Sequence, residues 1–379
     1  MVIPAHILEA QKTCMAQRAN AATGATLHGM AHSQLHPIPP LQKLRKLNQH
    51  RLRVVTLAWH PDSQHLVSAD QHGQVILWDT HTSSVRQYVS RPFATSLAVA
   101  PTMDAEDATT IAVGGMDNSI TICDMAFSIP KGEPLCVLPG MGDSHDGLIS
   151  SLAFLGSKDK LISAGGDGDL RIWSVSKAMS AQVIRGHTKD ITSMHVLGAS
   201  GDGAPCIATA SVDGTVRLWD LRAGIATHVF HCGPMKGTMN GLGVGPSIEA
   251  SAVSFFQGGD AVAAGCADGA VRLFDKRSYS MLGEFVEDDA SKMPGVAVNG
   301  IACSSSGRAM YVSHENATIK CYDSLGSGIP THKMVAKCEP PMKTHSISAG
   351  LCLAPKGDVL GFGSEDGRVH ILGPKLAGK

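Results

Sequence analysis

From residue 54 to residue 373 the chain is a succession of short segments in which apolar and polar positions alternate, broken by small polar turns. The first period shows the plan. VVTLAW (54–59) alternates as a half-buried strand, HPDSQ supplies a turn, and HLVSAD (65–70) alternates again. The pair HG (72–73) makes a second, tight turn, QVILWD (74–79) is a third strand, and VRQYVS (85–90) is an outer fourth. Strands of five or six residues with almost no helical periodicity exclude an α/β arrangement and predict an all-β fold.

The third-strand phrase recurs seven times, as HGQVILWD (72–79), DNSITICD (117–124), DGDLRIWS (167–174), DGTVRLWD (213–220), DGAVRLFD (268–275), NATIKCYD (316–323) and DGRVHILG (366–373). Its aromatic or apolar penultimate position falls at 78, 123, 173, 219, 274, 322 and 372, in steps of 45, 50, 46, 55, 48 and 50 residues. That is the period of four-stranded propeller blades, which bury their two faces against neighbours in a ring. The expected architecture is therefore a seven-bladed β-propeller over residues 41–379, preceded by a short N-terminal helix and connector over residues 1–40. After Leu372 only GPKLAGK remains, too short and polar for another outer strand, so the last blade lacks one. LQKLRKLN (41–48) is the candidate donor, although its leucines at 41, 44 and 47 follow helical spacing better than strand alternation.

Two blades carry a repeated polar set: His145, Ser163, Asp167 and Trp173, then His187, Thr209, Asp213 and Trp219. An indole ending the third strand fills the space between adjacent sheets, and its N–H needs a partner. A carboxylate in the preceding turn can accept from the turn backbone, a strand hydroxyl and a histidine entering the blade. The last blade keeps His345 and Asp366 but has Phe362 and Leu372 in place of hydroxyl and Trp. The first keeps His50 and Trp78 and has His72 at the acid position.

Composition narrows the functions left. With 32 basic and 33 acidic residues and a formal charge of −1, no basic field recruits nucleic acid or anionic lipid. No apolar run approaches the ~18–20 residues of a membrane helix. The opening MVIPAHILEAQKTC lacks the charge and apolar length of a secretory signal. Ten cysteines form no CxxC pair and mostly lie in or beside strand-like runs, which reads as free core thiols in a reducing compartment, so a cytoplasmic location is expected.

Candidate chemistry is weak. His28, His32 and His36 have the spacing of helical zinc ligands, but HGMAHSQLHPIPP is too rich in Gly and Pro for a helix, so a polar connector is expected. GLGVGP (241–246) lacks the lysine–hydroxyl pair of a phosphate-cradling loop and is read as a surface insertion. His145, Ser163 and Asp167 contain a hydrolase triad's residue types, yet the serine is in mid-strand facing the core. No catalytic, metal or cofactor site is expected. MDAEDATT (103–110) is read as a solvated loop, and the stretches 231–250 and 324–345 as insertions.

The punctuation resembles that of the WD-repeat β-propellers. RVVTLAWHPDSQHLVSADQHGQVILWD, VGGMDNSITICD, GHTKDITSM and DGAVRLFD are similar, in order and blade position, to the β-subunits of heterotrimeric G proteins. AQKTCMAQRANAATGATL is similar to the end of that family's leading helix. The resemblance implies a narrow propeller face that holds an α-subunit and a leading helix that coils with a small γ-subunit. By position it assigns Arg53 where the family has a contact lysine, Phe93 for a tryptophan, Met116 for a leucine, and Asp190 for a retained acid. Val55 and Leu148 stand for tyrosines, Thr95 for a methionine, Glu249 and Ala267 for acids, and Glu365 for a tryptophan. An apolar stripe of Ile7, Leu8, Gln11, Cys14 and Met15 ends early at Gly24 and Gly29. Binding a γ-like helix, folding onto the propeller, or lying loose all stay open.

Two functions follow. The first is a non-enzymatic signal-transduction scaffold that binds an α-subunit-like partner, with Arg53, Phe93, Met116 and Asp190 in one patch. The second is a scaffold of a multiprotein complex that shares the propeller without G-protein partners. Fold alone does not choose between them.

Overall fold

A computed structural model describes residues 41–82, 85–89, 93–101, 108–126, 134–139, 144–198, 205–233, 247–256, 259–285, 296–304, 309–316, 318–323, 334–338, 351–355 and 359–374. The leading helix, the His28/His32/His36 stretch, GLGVGP and His345 lie outside the described residues.

The strands form seven antiparallel four-stranded sheets. Blade 1 comprises Val54–Trp59, His65–Asp70, Gln74–Asp79 and Val85–Val89, hydrogen-bonded in that order. Blades 2 to 6 repeat the meander over 94–138, 149–184, 191–231, 250–285 and 298–338. In each the innermost strand comes first in sequence and contacts the innermost strand of the next blade. Blade 7 breaks the rule. Its chain-local strands are Cys352–Leu353, Leu360–Gly363 and Arg368–Pro374, and its outer strand is Leu41–Asn48. The pairing runs from Leu41 opposite Pro374 to Asn48 opposite Arg368. Blade 1 contacts blade 7, so the ring is closed.

Residues 41–48 are a strand despite their helical leucine spacing. The ladder slips between Lys43 and Arg45, and this irregularity turns Leu44 outward while Leu47 enters the core. Two loop readings are corrected as well. Ala108–Gly115 is a strand of blade 2, and Met334–Cys338, within the supposed insertion 324–345, is the outer strand of blade 6.

The core is not a single mass. It divides into seven apolar clusters, each shared by two successive blades. Between blades 7 and 1, Leu47, Val369 and Ile371 pack against Leu57, Leu66, Ile76 and Trp78. Between blades 3 and 4, Ile162, Leu170 and Ile184 pack against Ile191, Ile207 and Trp219. Strand alternation explains this: one face of each sheet feeds the cluster before it and the other the cluster after it. The tight turns need left-handed backbone. Gly214 has φ +75°, and a Cβ there would overlap Ser247 Oγ, so glycine is required twice over.

Leu47 is 5% exposed and Leu44 is 46% exposed on the same closing strand. Leu47→Ala is expected to cost about 2–4 kcal/mol by equilibrium denaturation. Leu44→Ala should stay within about 0.5 kcal/mol of wild type. Equal losses would mean the strand does not close the ring through the blade 7–blade 1 cluster.

Candidate functional site: the rim of the ring

At one mouth of the ring, equivalent residues of successive blades are fixed by a repeated backbone bond. The carbonyl of the residue before each inner strand accepts an N–H from the residue just after the second strand. The pairs are Arg53 with Gln71 (3.0 Å), Phe93 with Met116 (3.0 Å), Leu148 with Gly166 (2.9 Å), Asp190 with Val212 (3.0 Å), Glu249 with Ala267 (2.9 Å) and Ala297 with Glu315 (3.0 Å). Phe93 N–H also donates to Gln71 O at 2.9 Å across the gap between blades 1 and 2. Arg53, Gln71, Phe93 and Met116 are thereby linked in one hydrogen-bonded run.

Phe93 and Met116 are 50% and 58% exposed. Phe93 has φ +66°, an unusual backbone state for a bulky residue. The two backbone bonds on either side of it hold that state. Arg53 is exposed beside them. Asp190, also exposed, lies on the same rim further round, with Leu148 and Gly166 of blade 3 between it and Met116. A Cβ on Gly166 would sit 3.6 Å from both Asp190 Oδ2 and Leu148 Cγ. Phe93 and Met116 are thus joined directly and Arg53 to them through Gln71, while Asp190 stands two blades beyond Met116. Glu249 of blade 5 holds the place of Arg53 and Glu315 of blade 6 that of Gln71, and Glu365 lies just beyond the second strand of blade 7.

What holds the rim was not visible in the repeat. In blades 1 to 6 the inner-strand ladder slips at its second residue, at 55, 95, 150, 192, 251 and 299. Such a bulge re-aims one side chain. At four of these positions it is a hydroxyl, which donates to the carbonyl of its own second strand: Thr95 to Gly114 (3.0 Å), Ser150 to Ala164 (3.1 Å), Thr192 to Ala210 (3.1 Å) and Ser251 to Gly265 (3.1 Å). Three also reach the next blade, Thr95 to Ile149 O (2.6 Å), Thr192 to Ala250 O (2.7 Å) and Ser251 to Val298 O (2.5 Å). Thr95, assigned by resemblance to a contact position, is therefore engaged in stitching blade 2 to blade 3.

Below the rim lie the histidine networks. In blade 4, Trp219 Nε1–H donates to Thr209 Oγ1 at 2.8 Å, and His187 Nε2 lies 2.7 Å from the same hydroxyl. The indole only donates to the hydroxyl, and the carboxylate on the far side of the imidazole only accepts, so the neutral ring takes the hydroxyl's hydrogen at Nε2. That leaves the imidazole proton on Nδ1, which donates to Asp213 Oδ2 at 2.9 Å. Asp213 Oδ1 accepts from Thr215 N–H (2.9 Å) and Oγ1–H (2.6 Å). Blade 3 repeats the set, with Trp173 and His145 on Ser163 and His145 Nδ1 at 2.9 Å from both Asp167 oxygens. Ser163 is fully buried, and its hydroxyl serves these two partners.

A third complete set was missed. In blade 1 His50 and Trp78 share Ser68, and the acid is Asp70, 3.2 Å from His50 Nδ1, while His72 is exposed. The acid has moved to the end of the second strand, two residues before His72. Blade 3 has Gly165 at the place of Asp70, and a Cβ there would run into His145 and Asp167. The space between histidine and turn admits one carboxylate, from either position.

Burial opposes ionisation of Asp167 and Asp213, but hydrogen bonds outweigh it and hold both pKa values down to about 2. For Asp167 these come chiefly from His145, and for Asp213 from Thr215 and His187. Burial lowers the His187 pKa against the pull of Asp213.

Profiles described as "WD domain, G-beta repeat" match residues 41–79, 132–174 and 179–220. One described as "Nucleolar protein 10-like, N-terminal domain" matches residues 202–371. Three proteins named guanine nucleotide-binding protein subunit beta are similar to this chain. The one from Solanum tuberosum is 28% identical over 337 residues, covering 86% of this chain and 82% of its own length. The one from Oryza sativa subsp. japonica is 28% identical and the one from Arabidopsis thaliana 29%, each covering 74% of this chain and 71% of its own length.

Asp213→Ala is expected to cost about 2–4 kcal/mol at pH 7, because His187 and the turn lose their acceptor. A depressed folded pKa stabilises fully above the unfolded value near 4 and loses that contribution as pH falls toward 2, so the cost should shrink over that window. Asp70→Ala should behave alike, and His72→Ala should stay within about 0.5 kcal/mol of wild type. Thermal melts of the three variants across pH decide the assignment.

Proposed function

Because this chain is a WD-repeat β-propeller similar along most of its length to G-protein β-subunits, we propose that it is a non-enzymatic interaction scaffold in signal transduction, docking an α-subunit-like partner on the rim at Arg53, Phe93, Met116 and Asp190. The observation that carries this reading is the Phe93–Met116 pair. Two large apolar side chains are presented to solvent side by side on hydrogen-bonded backbone, one of them in a strained conformation. Exposed apolar anchors on a rigid ring are what an interface centre requires, since a few such residues dominate binding energy. Arg53 and Asp190 supply opposite charges on either side, which fix orientation more than affinity. Among the described residues no helix is long and apolar enough to cross a membrane, and a cytoplasmic location is part of this proposal.

One observation favours a second reading, a scaffold of a multiprotein complex without G-protein partners. Phe93 is the only aromatic among the described rim residues, while blades 5 to 7 present Glu249, Glu315 and Glu365. Three positions where the resembled family has aromatic residues are here aliphatic, at Val55 and Leu148, or acidic, at Glu365.

A pull-down from native cells with the full chain separates the two. The first reading expects capture of a GTP-binding α-subunit, with or without a small helical γ-like chain, and a loss of about 10-fold or more in Phe93→Ala/Met116→Ala. Wild-type protein that retains neither component leaves the second reading.

A further inference from the structure

At the end of blade 1 remote from the rim, the turn HPDSQH brings three metal-binding side chains together. The hairpin is fixed by backbone bonds from His60 N–H to His65 O (2.9 Å) and from Ser63 N–H to His60 O (2.9 Å), with Ser63 at φ +62°. Folding back in this way sets the His60 and His65 rings side by side, their centroids 6.0 Å apart. Asp62 Oδ1 accepts the N–H groups of Gln64 (2.7 Å) and His65 (3.0 Å), which aims its other oxygen between the imidazoles. Asp62 Oδ2 lies 3.0 Å from His60 Nδ1 and 2.5 Å from His65 Nδ1. All three ligand atoms fall within 4.8 Å of one another.

Burial works against charge on Asp62, but the Gln64 N–H, the His65 ring and backbone, and the nearby His60 bring its pKa to about 2, so it is anionic at neutral pH. Asp79, opposite His65 across the ladder, is a second carboxylate close enough to feel the His65 ring. The side chains of His60, His65 and Asp62 are 15%, 21% and 33% exposed, so an ion can enter from solvent and keep a water ligand.

We propose that His60 Nδ1, His65 Nδ1 and Asp62 Oδ2 form a site for one divalent transition-metal ion of the zinc class. Two imidazoles with one carboxylate suit zinc, nickel or copper and disfavour magnesium and calcium, which take oxygen ligands. Zinc bonds of about 2.0–2.2 Å in a tetrahedron place ligand atoms roughly 3.3 Å apart, against 3.0 Å now between Asp62 and His60 and 2.5 Å between Asp62 and His65. The turn needs only a small opening. Each ring must then carry its proton on Nε2, because a nitrogen bound to metal holds no proton. An ion here would pin the hairpin of the first two strands of blade 1 without touching the rim.

Zinc titration of metal-free full-length protein by calorimetry at pH 7.5 tests this. Wild type should bind one equivalent that His60→Gln/His65→Gln lacks. Asp62→Asn, whose side-chain oxygen still caps the turn, should bind that equivalent about 10-fold or more weakly. Cobalt substitution should give visible ligand-field bands without sulfur-to-cobalt charge transfer, which separates this site from the cysteines. A His28→Gln/His32→Gln/His36→Gln variant should keep the equivalent. Loss in that variant instead, titrations unchanged by the His60, His65 and Asp62 substitutions, or no zinc uptake by wild type would overturn the proposal.

Discussion

A four-stranded sheet with two apolar faces cannot shield both from water, and every other feature of this protein follows from that constraint. The solution is lateral. Seven clusters, one between each pair of neighbouring blades, carry the burial that a single central core carries in other folds. Each blade is stable only while both neighbours are present. The closing strand Leu41–Asn48 matters for the same reason: it completes blade 7, and its Leu47 enters the cluster shared with blade 1.

Polar groups are subordinate to this packing and take more than one form. Where a tryptophan ends the third strand, in blades 1, 3 and 4, a buried hydroxyl and histidine carry its N–H to a carboxylate. Where it is replaced, the turn acid finds other partners. Asp268 in blade 5 binds Arg272, which also holds Glu284, and Phe274 stacks on Phe230 with centroids 4.7 Å apart. In blade 7 Asp366 pairs with Arg368, and Phe362 stacks on His370. An Asp-Gly turn therefore marks a blade without specifying the network beneath it.

This explains what could be read from sequence and what could not. The strands of blade 1 were legible because alternation and turn residues are local, and the seven-fold period was legible because each blade solves the same problem. Asp70 was overlooked because alignment by turn position selects His72, whereas the bonding space accepts a carboxylate from either of two places. The inner-strand bulges left no trace, since Thr95, Ser150, Thr192 and Ser251 look like ordinary strand hydroxyls until the ladder slip turns them toward a neighbour. Met334–Cys338 hid inside a long connector. His60, Asp62 and His65 read as a plain turn, because their convergence depends on the hairpin folding back on itself. The rim positions came from resemblance, and the backbone run from Arg53 to Met116 had no sequence signature.

The partner of Leu41–Asn48 is Arg368–Pro374, so the closing ladder joins the two stretches of the propeller that lie furthest apart along the chain. Before these stretches meet, blade 7 exposes a bare sheet edge and blade 1 has no neighbour on one side. A chain without Arg368–Pro374 leaves Leu41–Asn48 with no partner and the ring unclosed. Closure acts as a latch, because the step that completes the ring also removes the unpaired edge that invites aggregation.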